Sequence, residues 1–157
     1  MGLRAYDPAT DADALRACYV ELQDDLRAFD PRLPAGEAVA DAYLARMLER
    51  CATWDGAVRV AVADGAVVGF VCVWARVPPE PDEPAEPYAF VSDVFVKPAH
   101  RGNGIGRALV DAAVDYARDR GVSIVKLDVL LANGAARRLY ERAGFATRLV
   151  EMAKPLR

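Results

Sequence analysis

A chain of 157 residues fits one folding unit, expected to span residues 1–157, and its 54% hydrophobic content supports a sizeable core. The net charge of −3 and isoelectric point near 5.2 argue against a general nucleic-acid binder, while leaving room for a local basic pocket. Cys18, Cys51 and Cys72 are odd in number, widely spaced and without a Cys-x-x-Cys, which argues against a disulfide framework or a structural zinc site and fits a reducing, cytoplasmic compartment with the thiols packed as small hydrophobes.

The N-terminus MGLRAYDPAT has no apolar leader segment, and Tyr6 stands where a myristoylation motif wants Ser or Thr. Leu3–Tyr6 alternates and reads as a first strand, ended by Asp7-Pro8. From Thr10 the pattern turns helical, with Ala14, Leu15, Cys18, Tyr19, Leu22 and Leu26 recurring at three and four residues until Asp30-Pro31. A second helix is predicted over 37–50, with Val39, Tyr43, Met47 and Leu48 inward. Two Val-rich runs flanking Asp64-Gly65 predict a hairpin with a type I′ turn. Its apolar run Ala66–Ala75 is about half a membrane span and reads as a buried strand, so no membrane partner is expected.

Pro78–Pro87, rich in prolines and acids, is an exposed loop. Tyr88–Val96 is a long strand, and after the glycine-rich turn a helix over 104–120 buries Ile105, Leu109, Ala112 or Ala113, and Tyr116. Ser123–Leu131 is the next strand. Asn133–Ala143 is a helix with Asn133 as N-cap and Gly144 as its C-terminal stop, and 145–156 is a last strand. The order β-α-α-β-β-β-α-β-α-β gives an α/β (α+β) fold, a mixed, mostly antiparallel sheet with helices on both faces.

The turn between Tyr88–Val96 and the following helix carries the chemistry. Gly102, Gly104 and Gly106 crowd a helix start between Arg101 and Arg107. Exposed N–H groups at a helix N-terminus hold an anion, and glycine lets it approach. The dinucleotide fingerprint Gly-x-Gly-x-x-Gly/Ala fails, because its third position is Arg107 or Leu109. The Gly-x-x-x-x-Gly-Lys-Ser/Thr loop fails as well, because Gly102 counts forward to Arg107. A tight turn with no ligand, and a nucleotide enzyme using the same loop, remain alternative readings.

With its neighbours, VFVKPAHRGNGIGRALVDAA resembles the acetyl-CoA-binding motif of the GNAT superfamily of N-acetyltransferases, Arg/Gln-x-x-Gly-x-Gly/Ala, through Arg101, Gly104 and Gly106. NGAARRLYERAGF resembles the family's second motif through Asn133, Ala136, Tyr140 and Gly144-Phe145. The order of elements agrees over essentially the whole chain.

The resemblance implies an acetyltransferase moving an acetyl group from acetyl-CoA to a primary amine by direct attack in a ternary complex. Its alternative is a non-catalytic acetyl-CoA or CoA sensor. The N–H groups of Arg101, Gly102, Asn103, Gly104, Ile105, Gly106 and Arg107 would cradle the pyrophosphate, with Arg101 and Arg107 adding charge. A strand bulge at Val94, Phe95 and Val96 would open a wedge for the pantetheine arm, with the Val94 N–H as oxyanion donor. Asn133 and Ala136 would line the same site. Tyr140 would protonate the departing sulfur, and Asp93, the one carboxylate in its strand, would serve as base or amine anchor. A water chain, or a merely structural Asp93, is the alternative. His100 reads as a surface-loop residue at the phosphate end, and no metal is expected.

The acceptor stays open among polyamine, aminoglycoside, amino acid and protein amine. The acids Glu21, Asp24, Asp25, Asp30, Glu80, Asp82, Glu83 and Glu86 either draw a cationic amine to the rim or simply solvate loops. Oligomeric state is not readable from the residues; the resemblance alone admits a homodimer.

Overall fold

A computed structural model describes residues 1–156. In chain order the elements are β1 (Gly2–Ala5), α1 (Ala12–Leu26), α2 (Gly36–Thr53), β2 (Gly56–Ala63), β3 (Ala66–Val77) and β4 (Tyr88–Val96). A short 3-10 turn at Pro98–His100 follows, then α3 (Ile105–Arg118), β5 (Val125–Leu127) and α4 (Gly134–Arg142). The strands form one sheet in the order β1-β2-β3-β4-β5, antiparallel except for the parallel β4–β5 pair.

The hairpin forms as its turn residues dictate. Asp64 and Gly65 take φ of 50° and 79°, both left-handed as a type I′ turn requires. β3 is the central strand, and its apolar run is almost wholly buried because helices cover both faces. On one face α1 and α2 pack Leu15, Cys18, Tyr19, Ala40, Leu44 and Met47 against Phe70, Cys72 and Trp74. On the other, α3 sets Ile105, Leu109, Ala113 and Ala117 against Val71, Val73, Ala89 and Val91. The inward side of α2 is rotated from the expected one. Ala40, Leu44 and Met47 are buried, whereas Val39, Tyr43 and Leu48 are only partly so.

The N-terminal joint between β1 and α1 is pinned by a buried carboxylate. Asp11 receives Arg4 Nη1 (2.5 Å) and Nη2 (2.8 Å) together with the Asp7 N–H (2.9 Å), which holds its pKa far below the usual carboxylate range.

Two expectations fail toward the C-terminus. β5 spans three residues rather than all of Ser123–Leu131, because β4 offers partners only from Ala89 to Val91 before the two strands part. The strand expected over 145–156 does not form: after the bond from the Phe145 N–H to the Tyr140 carbonyl (3.0 Å), its backbone makes no hydrogen bond among the described residues. A strand needs a partner edge, and the segment lies against none. The fold class is unaffected.

Candidate active site at the parting of β4 and β5

The site begins where β4 leaves β5. β3 pairs Cys72 with Asp93 and Val73 with Val91, so Ser92 is an extra residue and forms a bulge. The bulge was expected further on, at Val94–Val96. Its position at Ser92 resets the alternation of the strand: Ala89, Val91, Val94 and Val96 face α3, while Phe90, Asp93 and Phe95 face α1 and α2.

The Lys97 N–H bonds the Val68 carbonyl (2.8 Å), so in the antiparallel ladder residues 93, 95 and 97 direct their backbone groups to β3. The N–H and C=O of Val94 and Val96 therefore face the opening beside β5, which is unpaired beyond Leu127. Phe95 does not. Its backbone turns to β3, and its ring is buried in the α1/α2 core.

The opening leads to the glycine loop. Gly102 and Gly104 hold φ of 80° and 79°, and a Cβ at either would meet nothing within 4 Å, so both border open space. Gly104 is the N-cap of α3, whose first helical bond runs from the Ala108 N–H to the Gly104 carbonyl (3.0 Å). The N–H groups of Ile105, Gly106 and Arg107 are thus left without intrahelical acceptors. Ile105 contributes only its backbone, since its side chain is core. Gly106 serves packing as well: a Cβ there would stand 3.3 Å from Leu139 Cδ2 and 3.8 Å from Val96 Cγ2, so its absence lets α4 approach.

The two arginines are more constrained than expected. Arg101 donates from Nε to the Val96 carbonyl (2.7 Å) and from Nη2 to Asp25 (2.6 Å), with its guanidinium 5.5 Å from the Phe95 ring centroid. Arg107 binds Asp111 (2.8 Å) and the Arg142 carbonyl (2.8 Å) at the end of α4. Both brace the loop, which leaves the backbone N–H groups at the start of α3 as its unpaired donors. The Asn103 amide lies 3.5 Å from the His100 and Arg101 carbonyls.

Asp93 and Tyr140 approach from different elements. Asp93 is 8% exposed, and both its oxygens receive the Tyr43 hydroxyl (3.0 Å each) while Oδ2 also receives the Ser92 hydroxyl (2.7 Å). Burial pushes its pKa up, against these hydrogen bonds, which favour the anion. Of about four acceptor positions on a carboxylate, three are taken, which leaves one on Oδ1. Tyr140, on α4, packs edge-on against Phe145 with centroids 6.1 Å apart. Burial, helped by the nearby Asp93 charge, raises its pKa to about 12. Asn133 caps α4 by accepting the Ala136 N–H (3.1 Å), which uses that N–H internally.

Tyr43 and Ser92 were not singled out as site residues. A phenol on the inward side of a helix needs a polar partner when buried, and that signal pointed to Tyr43 without naming Asp93, fifty positions away. Tyr43 stacks on Tyr19 at 4.4 Å, and burial together with Asp93 lifts its pKa far above the usual phenol value. Cys51 Sγ lies 3.5 Å from Cys72 Sγ beside this cluster; Cys18 and Cys72 are buried as expected, and Cys51 is half-buried against the same core.

Most rim acids are engaged within the chain. Glu21 meets Lys97 (3.6 Å), Asp25 meets Arg101 and Asp30 meets Arg32 (2.8 Å). Asp24 receives the Gly36 N–H (2.8 Å), Glu83 meets Lys126 (2.8 Å) and Glu86 meets Ser123 (3.2 Å). Among the described residues no His, Cys, Asp and Glu side chains gather as a metal site, and no helix is long and apolar enough to cross a membrane.

Residues 16–145 match the model of the acetyltransferase (GNAT) family. A mycothiol acetyltransferase of Sanguibacter keddieii is 33% identical over 99% of this chain and 47% of its own length. The chain spans less than half the length of the curated relatives it matches. A mutant of the BH1408 protein from Bacillus halodurans superposes with a TM-score of 0.84 at 20% identity, covering 99% of both chains. The aminoglycoside N-acetyltransferase AAC(6')-Iy, solved in complex with CoA, superposes with a TM-score of 0.67 at 20% identity, over 98% of this chain and 99% of that one. Glycine loop, parted strands and matched residues lead to one conclusion: this chain belongs to the GNAT family of acetyltransferases, whose cosubstrate is acetyl-CoA.

Proposed function

We propose that residues 1–157 act as one N-acetyltransferase domain that transfers acetyl from acetyl-CoA to a primary amine by direct attack in a ternary complex. The observation that carries this reading is the continuous path along β4. It runs from the left-handed glycines at Gly102 and Gly104, past the outward backbone of Val96 and Val94, to the bulge at Ser92 and the buried Asp93.

In this reading the pyrophosphate rests on the loop N–H groups at the start of α3, where unpaired donors and the helix dipole favour an anion. The pantetheine amides pair with the outward backbone of β4. An amine with a pKa near 10.4 is free base in about one part in 10³ at pH 7, so a proton must leave it. Asp93 accepts that proton directly or through water, and Tyr43 and Ser92 hold the carboxylate in place. Nitrogen bonds the carbonyl carbon, and the Val94 N–H bonds the oxygen as negative charge develops. The C–S bond then breaks, and the sulfur takes its proton from Tyr140.

A phenol near pKa 12 is fully protonated at neutral pH. Against a thiol of pKa about 8.5, complete transfer is uphill by roughly 5 kcal/mol. Tyr140 therefore donates as the C–S bond breaks rather than before it. The nitrogen, which carries a second excess proton once it has bonded carbon, gives that proton up through water, and this restores the Tyr140 phenol, while Asp93 releases the first proton to solvent.

The acceptor's charge preference rests on Asp93 and the stacked Tyr19 and Tyr43 rather than on the rim, whose acids are largely neutralised by their own partners. Release of free CoA thiol from acetyl-CoA is measured across spermidine, aminoglycosides, amino acids, and lysine and N-terminal peptides. Release dependent on one amine class supports the enzyme. Tight acetyl-CoA binding with no release from any amine supports a sensor instead.

A further inference from the structure

We infer, resting on the transferase reading above, that the amine acceptor also carries a carboxylate and that Arg46 binds it, so that the acceptor is an amino acid or a similar amine-carboxylate rather than a polyamine or an aminoglycoside. Asp93 and Arg46 meet on one tyrosine. The Tyr43 hydroxyl donates to Asp93 (3.0 Å), and Arg46 Cζ lies 5.5 Å from the Tyr43 ring centroid. Tyr19, stacked on the same ring, feels both charges: burial raises its phenol to about 12, with Asp93 adding to the rise and Arg46 opposing it. A negative and a positive group thus lie within reach of one small molecule.

The other cations around the site already have acids of their own. Arg101 is taken by Asp25, Lys97 by Glu21, Arg107 by Asp111 and Lys126 by Glu83. Arg46 is exposed and makes no ion pair or side-chain hydrogen bond among the described residues. The acids of its own helix do not serve it: Glu37 and Asp41 pair with Arg16, and Glu49 forms no ion pair among the described residues. Arg50, one turn further along α2, also lacks an acid, but it is half-buried against two indoles, with Cζ 5.3 Å from the Trp54 ring and 5.0 Å from the Trp74 ring.

A contact with a ring holds a guanidinium without using its N–H groups, so the fork of Arg46 stays open to a carboxylate, whose geometry it matches. The floor beside it is apolar. Phe90 faces α1 and α2 and is half-buried, and its register partner Lys126 is neutralised by Glu83. An amino acid fits all three features: ammonium toward the free position on Asp93, carboxylate on Arg46, side chain on Phe90. A second amine in place of the carboxylate would meet Arg46 as a like charge, which selects against polyamines and aminoglycosides.

The test uses pairs of amines that differ by the carboxylate alone: phenylalanine and phenethylamine, lysine and cadaverine, γ-aminobutyrate and propylamine. Calorimetric titration into protein saturated with CoA is expected to show, in at least one pair, the carboxylate-bearing member binding about 10- to 100-fold tighter. Arg46→Gln is expected to bring the two members of that pair to equal affinity, with wild-type affinity for acetyl-CoA showing that the fold is intact. Equal or tighter binding of the decarboxylated member in every pair, binding by no member of any pair, or a preference that Arg46→Gln leaves unchanged overturns the inference. Release of CoA thiol from acetyl-CoA on the same pairs separates the two readings. Release from cadaverine with no advantage for any carboxylate overturns the acceptor class alone and leaves the transferase. Carboxylate-dependent binding with no release from any amine leaves the Arg46 site standing and sinks the transferase.

Discussion

Gly104→Ala separates a glycine kept for its ligand from one kept for its backbone. Gly104 holds φ 79°, and a Cβ there would meet nothing within 4 Å, so a methyl costs only conformational strain. That strain is about 1–2 kcal/mol. A domain of this size loses about 2–4 °C of Tm per kcal/mol, so the expected fall is about 2–8 °C. Gly65, in the β2–β3 hairpin, has the same φ of 79° and the same open surroundings, so Gly65→Ala is expected to lose stability by a similar amount.

The two variants must differ in ligand binding. A hydrogen bond from an N–H to a charged phosphate contributes about 1.5–3 kcal/mol. Displacing one raises Kd by about 10- to 100-fold. Calorimetric titration with acetyl-CoA should show that weakening in Gly104→Ala and wild-type affinity in Gly65→Ala. Equal affinities in both variants would refute the assignment of the loop as the pyrophosphate cradle.

Tyr140→Phe is expected to lower kcat by about 10², the low end for a general acid because full proton transfer is uphill, with acetyl-CoA affinity unchanged in titration. Full turnover would remove Tyr140 from the chemistry. Asp93→Asn should abolish the acidic limb of the kcat/KM–pH profile, which lies above the ordinary carboxylate value because burial raises the Asp93 pKa. A raised folded-state pKa contributes stability that is present below about pH 3.9 and lost as pH rises through the folded value. The Tm difference between Asp93→Asn and wild type is therefore expected to move in the variant's favour as pH rises through the folded Asp93 value, and parallel Tm–pH curves would count against a raised Asp93 pKa. Asp11 works in the opposite sense. Its pKa is lowered by Arg4 and the Asp7 N–H, so its contribution is present above about pH 3.9 and fades as pH falls through the folded value. Acid titration of Asp11→Asn should show a shallower loss of Tm than wild type, and parallel curves would count against this role.

Much of this protein is decided locally and can be read from its residues. The type I′ turn at Asp64-Gly65, the bounds of β4 and the cap of α4 at Asn133 each depend on a few neighbouring side chains and their backbone preferences. The glycine loop is of the same kind, because a left-handed φ is a property of one residue. The pairing of Tyr43 with Asp93 was not legible, since it joins a helix to a strand fifty residues away and depends on how α2 is rotated over the sheet. The bulge at Ser92 is a matter of register between β3 and β4, and a single extra residue there decides which backbone groups face the opening. The rim acids read as free charge because their partners, such as Arg101 for Asp25 and Lys126 for Glu83, arrive only when the chain folds. Residues 145–156 show the same division: alternation gives them the composition of a strand, but a strand exists only where a second edge meets it, and that edge is supplied by tertiary or quaternary structure.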